Sequence, residues 1–190
     1  MKKLFVLVFL TASFIANSQT TDATLNKRLA EYLAYSKDLK IDLLLEYMYP
    51  RIFEMASKEQ IKEVLESAYN NPDIEIKLDS MGIGSVLGVS TFSKGAFTKF
   101  SYSVKMKITL LNKEMEDKSA QVLKNFKNKF GDENVSYDNV SKIFWVYQNK
   151  EALAIKDNYS KNIWTMLGLE EDQSIFSIIP AEIKTKYHLQ

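Results

Sequence analysis

The chain has 190 residues, with 25 Lys and Arg against 24 Asp and Glu, and 46% of its residues are hydrophobic. That apolar fraction excludes a disordered chain, and six Gly with three Pro exclude a collagen-like or low-complexity one. With no Cys and a single His, thiol nucleophiles, thiolate metal sites and chemistry on paired imidazoles are excluded, and the balanced charge speaks against a dedicated nucleic-acid binder.

Residues Met1 to Ser18 read as a secretory signal peptide. Lys2 and Lys3 form a basic start, Leu4 to Ala16 an apolar stretch, and Ala16-Asn17-Ser18 a small-x-small cleavage site. The apolar stretch is too short for the roughly 20 residues a membrane-spanning helix needs. Cleavage after Ser18 leaves Gln19 to Gln190 as one domain with no integral membrane segment. The expectation is an exported protein, periplasmic or secreted, from a Gram-negative envelope. The sequons at Asn134, Asn139 and Asn158 are read as chance in that setting.

The first half of the mature chain has helical spacing. Leu25, Leu29 and Leu33 recur at four-residue steps, and Asp22 is placed to cap them. A second apolar group, Leu39 to Met48, is expected to stop at Pro50, because the residue before a proline is pushed out of helical geometry. Ser57 and Gln60 form a capping box for a third helix, whose apolar face is Ile61, Val64, Leu65 and Ala68.

From Pro72 the period changes to two. Ile74, Ile76 and Leu78 alternate with charged residues, and glycines at 82, 84 and 88 predict a bend or bulge. The clearest strand runs from about Ala96 to Leu111, with Phe100, Tyr102, Val104, Met106, Ile108 and Leu110 on one face. A helix is predicted over about Asp117 to Phe130, stopped by Gly131. Short strands follow at Val135 to Tyr137, Ile143 to Tyr147 and Ala152 to Lys156, the last two joined by a turn at Asn149-Lys150. A further strand is expected near Ile163 to Leu167, and a final short helix opens at Pro180. Three helices followed by antiparallel strands with one helix inserted make an α+β domain, in which the leading helices cover the apolar face of the sheet.

This order of elements resembles the nuclear transport factor 2-like superfamily, a cystatin-like α+β cone. The residues that carry the likeness are the acidic, Leu-rich segment Asp38 to Pro50 ending in Tyr49-Pro50, Phe53, the capped helix from Ser57, the long strand from Gly95 to Leu110, and Trp164 followed by Ile178-Ile179-Pro180. It covers about residues 22 to 185, and the inserted helix departs from the minimal pattern. The resemblance implies N-terminal helices packed in the concave face of a strongly curved antiparallel sheet, and homodimers formed sheet to sheet. The superfamily includes isomerases, dehydratases, cyclases, ligand-binding proteins and interaction modules, so the likeness does not select a function. Its enzymes use an Asp or an Asp–His pair inside the cone, and here no His falls within the sheet.

The candidate chemistry is accordingly sparse. His188, near the end of the chain, reads as a solvated residue. Asp79, Asp138 and Asp157 border strands and are the carboxylates to inspect; Asp79 falls on a polar face, and the other two look like turn residues. Glu170, Glu171 and Asp172 lack the alternation of a calcium loop. Lys99, Lys105 and Lys107, with Lys124, Lys127 and Lys129, could form a basic patch, although lysines on an open sheet ordinarily serve solubility. Tyr49, Phe53, Phe97, Tyr102, Trp145 and Trp164 are candidates to line a pocket for a small apolar molecule. The reading is an exported, non-enzymatic binding or interaction domain, with a small apolar ligand or a protein as partner. It has no catalytic residue, metal or cofactor, no nucleic-acid partner, and the option of a homodimer. The alternative is a small-molecule isomerase or lyase using a buried Asp with a Tyr.

Overall fold

The computed structural model describes residues 22–169 and 173–189. The segment read as a signal peptide and the acidic cluster at 170–172 lie outside the described residues. The protein is α+β, built on a six-stranded antiparallel sheet that does not close on itself. Helix α1 (Ala23–Lys37) and the short α2 (Ile41–Leu45) lead through a 3-10 turn (Pro50–Glu54) to α3 (Lys58–Tyr69). Strands β1 (Ile74–Val86), β2 (Ser90–Phe92) and β3 (Gly95–Leu110) follow, then α4 (Lys113–Asp117) and α5 (Ser119–Phe130). Strands β4 (Val135–Asp138), β5 (Ile143–Asp157) and β6 (Thr165–Gly168), a 3-10 segment (Gln173–Ile178) and α6 (Ala181–Tyr187) complete the chain.

The sheet order is β1-β3-β5-β4, with β2 also pairing β3 and β6 pairing β5. The β3–β5 ladder is unbroken from Gly95↔Asp157 to Thr109↔Ile143. Against it, β1 shifts register between Leu78 and Ser80, before its glycines, and again between Ile83 and Val86, around Gly84, the irregularity that the glycines predict. The turn expected at Asn149-Lys150 does not exist: Asn149 pairs with Ser103 and Lys150 with Tyr102 inside one 15-residue strand. A two-residue hairpin turn needs positive φ at its centre, which Gly or Asn supplies readily and Lys150 does not, while β3 offers a continuous edge to pair with.

Among the described residues, three apolar clusters hold the sheet. On one face of β3 and β5, Leu25, Leu29 and Leu33 of α1 pack on Phe100, Tyr102, Ala152 and Ala154. Further along the same face, Leu123, Phe126 and Phe130 of α5 cover Ile108, Leu110, Phe144 and Val146, with Met106 touching both groups. On the opposite face, Phe97, Leu153, Ile155 and Leu167 meet Tyr49 and the C-terminal Ile178, Ile179 and Ile183. Residues 152–155 are therefore buried on both sides. Each small side chain beneath α1 lets the helix approach, and each branched one fills the reverse face.

The cover of the sheet differs from the expectation of three leading helices. Helix α1 does cover it, capped as expected by Asp22, which accepts from the backbone N–H groups of Thr24 and Leu25. Helix α2 ends at Leu45, short of Pro50, and buries only Leu45. Helix α3 has its full Ser57–Gln60 capping box but no buried residue, and Val64 is 67% exposed. A helix can thus be well signalled locally and still pack on little; α5 and the C-terminal segment do the covering that α3 was expected to do. Gly131 stops α5 at φ 95°, a conformation that costs a residue without Cβ little. Among the described residues, no helix is long and apolar enough to cross a membrane.

Candidate functional site

The site lies where the end of β5 and the start of β6 meet α1 and the segment before the 3-10 turn. That segment is pinned to β6 by two backbone bonds: Tyr49 N–H donates to Met166 O at 2.9 Å, and Met166 N–H to Tyr47 O at 2.7 Å. Arg28 then bridges the elements. Its Nε donates to Trp164 O at 2.9 Å and its Nη2 to Glu46 O at 3.3 Å, while its guanidinium lies 3.5 Å from the centre of the Tyr47 ring. Backbone carbonyls and a ring face hold this cation without neutralising it.

Two pockets flank Arg28 and share it, together with Ile163, as a wall. One, of about 420 Å³, is walled by Phe53, Tyr159, Lys58 and Lys161. The other, of about 480 Å³, is walled by Tyr47, Trp164, Lys27 and Lys156. Both volumes fall in the range of small-molecule sites, roughly 300–1,000 Å³. Side by side across Arg28, they make a two-part groove in which basic and aromatic residues outnumber the acidic Glu46 and Glu31.

The loop from β5 to β6 shapes this groove. Asp157 ends β5 and is 2% exposed. Its Oδ1 accepts the Ser160 N–H at 3.0 Å, its N–H donates to Ser160 Oγ at 2.9 Å, and its Oδ2 accepts the Tyr49 hydroxyl at 2.7 Å. Burial, and then the bond to the Asp157 carboxylate, push the Tyr49 phenol well above its ordinary range. Asp157 O also accepts the N–H of Asn162 at 2.7 Å. These bonds hold Lys161 and Asn162 consecutively at φ 54° and 58°, a left-handed pair that side chains adopt rarely. Lys161 faces one pocket and Asn162 the other.

Asp22 fixes the far wall. Besides capping α1, its Oδ2 accepts the indole N–H of Trp164 at 3.0 Å. Burial alone would raise its pKa, but the bonds from Thr24, Leu25 and Trp164 prevail and hold the carboxyl below its ordinary value. Tyr47, buried and donating its hydroxyl to Glu31 at 2.8 Å, is pushed up to about 12, first by burial and then by that bond.

Of the aromatic residues singled out by sequence, Phe53 and Trp164 reach the groove. Tyr49 lies wholly buried just behind its wall. Phe97 is core, its ring edge-on to Phe92 and Tyr187, and Tyr102 is core beneath α1 beside Phe100. Trp145 lies on the outer face of the sheet, with Lys105 Nζ 4.1 Å above its ring. Asp79 pairs with Lys105 at 3.1 Å, and Asp138 closes a surface turn by accepting from Val140 and Ser141. The six lysines do not form one patch. Lys99, Lys105 and Lys107 are on the outer face of β3, whereas α5, with the other three, packs on the inner one. Exposed His188 ends α6. Among the described residues, no group of three or more His, Cys, Asp or Glu could hold a metal ion.

Arg28 and Lys161 carry no sequence signal. Arg28 is one polar residue among several on the outer side of an amphipathic helix, and the left-handed pair lacks the Gly that would announce it. Asp157, singled out from the sequence as a turn residue beside a strand, does close a turn, and Asp-x-x-Ser at the end of an apolar strand is a side-chain-to-backbone turn pattern. No protein-family model matches the chain, and no curated protein is significantly similar to it.

Proposed function

We propose that this chain is an exported, non-enzymatic binding domain of the nuclear transport factor 2-like type, and that its ligand is a small molecule held in the groove around Arg28. One observation carries the reading: two pockets of ligand size share a wall, and a strained loop fixed by buried hydrogen bonds presents side chains to both. The packing of the N-terminal α1 on one face of β3 and β5 supports the cone-like architecture. Export rests on the basic-apolar-small order of residues 1–18, and N-terminal sequencing of the mature protein should begin at Gln19.

Binding is tested on the variant Trp145→Phe, which leaves Trp164 as the single tryptophan reporter in the groove wall. A panel of small apolar and amphipathic compounds should yield ligands that perturb Trp164 emission saturably. Ligands that bind without perturbing Trp164 would move the site elsewhere.

A second reading has an observation of its own. The buried Asp with a Tyr that an isomerase or lyase would use is present as Asp157 and Tyr49. Against it, both carboxylate oxygens already accept hydrogen bonds from within the protein, and neither residue lines the groove. A general base needs a lone pair facing its substrate. Turnover in an isomerase, dehydratase and hydrolase panel, abolished by Asp157→Asn, would establish the enzymatic reading and remove ours.

A further inference from the structure

We propose that the ligand carries an anionic head, a carboxylate or a phosphate on an apolar or aromatic body, seated against Arg28 with Lys156 on one side and Lys161 on the other. This rests on the groove being the binding site, and adds the class of molecule it takes.

The charges that line the groove do not balance. Glu46 pairs with Lys58 at 2.5 Å, and Glu31 lies 3.9 Å from Lys27 while accepting the Tyr47 hydroxyl. Among the described residues, each acidic residue of the two pockets therefore has a lysine of its own. Arg28, Lys156 and Lys161 remain, and none of them has a carboxylate partner among the described residues. Unpaired cations on an open surface are ordinary, but Arg28 borders both pockets, Lys161 one and Lys156 the other, and concave low-dielectric walls concentrate their field.

The geometry around Arg28 makes it a receptor. Two of its nitrogens are committed to backbone carbonyls and its face to Tyr47, so the guanidinium is locked before any ligand arrives. Nη1 makes no hydrogen bond among the described residues and retains its donors. A preorganised fork with free donors suits the planar or tetrahedral oxygens of a carboxylate or phosphate. Lys161 is brought there by a backbone conformation that a lysine disfavours, at a position where a turn alone would be better served by Gly. Phe53 and the half-exposed Tyr159 offer a surface to the apolar body behind the head, while the largely buried Tyr47 and Trp164 back the other pocket.

The test uses 2-naphthoate, 2-naphthyl phosphate and the neutral, near-isosteric 2-naphthamide, titrated into the Trp145→Phe protein by calorimetry and Trp164 emission. The anions should bind about tenfold tighter than the amide, with the advantage shrinking severalfold when ionic strength is raised well past the point where the screening length is about 10 Å. Whichever anion binds tighter identifies the head. Lys156→Gln and Lys161→Asn should each lower anion affinity severalfold and leave amide affinity unchanged; Asn tolerates the left-handed backbone, so the loop is retained. Equal affinity for amide and anions, insensitive to salt, overturns the anionic head while the groove still stands as a binding site. Absence of binding by all three overturns both.

Discussion

The hydrogen bond between Tyr49 and Asp157 offers the most direct test of how the groove is held. Tyr49→Phe removes one hydroxyl from a side chain that is 0% exposed and leaves Asp157 Oδ2 without its donor at a site water does not reach. A hydrogen bond to a charged acceptor contributes about 1.5–3 kcal/mol, and burial places this one toward the upper end, so a loss of about 2–3 kcal/mol is expected. For a chain of this size that lowers the melting temperature by about 4–12 °C. Urea unfolding at unchanged m-value measures it. In an Asp157→Asn background the same replacement should cost about 1–2 kcal/mol less, since the acceptor is no longer charged. The amide hydrogen of Asn162, bonded to Asp157 O, should exchange faster in Tyr49→Phe, because the loop loses one of its anchors. A cost below about 0.5 kcal/mol with no coupling to Asp157 would show that the pair is solvated and the loop is held by something else.

Asp22→Ala should cost about 2–4 kcal/mol, since it removes the cap of α1 and also strands the buried indole N–H of Trp164, whereas Asp22→Asn keeps the capping oxygen but sets an NH2 donor against the indole N–H, and should cost about 1–2 kcal/mol. Because hydrogen bonds lower the Asp22 pKa, its contribution is complete above the ordinary Asp value of about 4 and declines as the pH falls below it, which acid titration of both variants will read. Gly95→Ala places a Cβ 2.1 Å from Lys156 O and 2.9 Å from Asp157 Cα, so β3 and β5 must part and a loss above about 3 kcal/mol is expected; Gly88→Ala, with nothing within 4 Å, should stay within about 0.5 kcal/mol. Val64→Glu on the exposed side of α3 should likewise shift the urea midpoint by less than about 0.5 kcal/mol, and a larger cost would mean that α3 is covered. At alkaline pH the native state keeps the Tyr47 proton up to about 12, whereas the unfolded chain releases it near 10; that stability is intact below about 10 and falls by about 1.4 kcal/mol per pH unit between the two, a slope Tyr47→Phe should reduce.

The strands show where periodicity informs and where it stops. On β3 the alternation from Phe100 to Leu110 holds because helices cover one face and the other stays open. On β5 the same rule splits one strand into two. Gln148 and Lys150 fall between the part covered by α5 and the part covered by α1, so the inner face turns polar without the strand ending. The outer face changes from the half-exposed Trp145 and Asn149 to the buried Leu153 and Ile155 once the C-terminal segment closes over it. A hydrophobic pattern reports what lies over a strand, and that cover comes from residues far away in sequence. For the same reason, the amphipathic α3 looks like core on its own, although the packing leaves it outside.

The groove follows from how the sheet is finished. At the end of β5 the strand is buried on both sides, so its backbone cannot turn through solvent in the usual way and is closed by side chains: Ser160 on Asp157, and Tyr49 on Asp157 from across the core. The first helix is bound to the same corner by Asp22 on Trp164 and by Arg28 on Trp164 O. Those contacts stabilise the fold and shape the pockets at once, so replacing Asp22, Arg28, Tyr49 or Asp157 will alter stability and affinity together. Lys156, Lys161 and Phe53 line the groove without holding that corner, and only there should binding change while the unfolding midpoint stays put. A substitution at Lys161 that left anion affinity untouched would therefore count against the anionic head more heavily than the loss of binding in any corner variant could count for it.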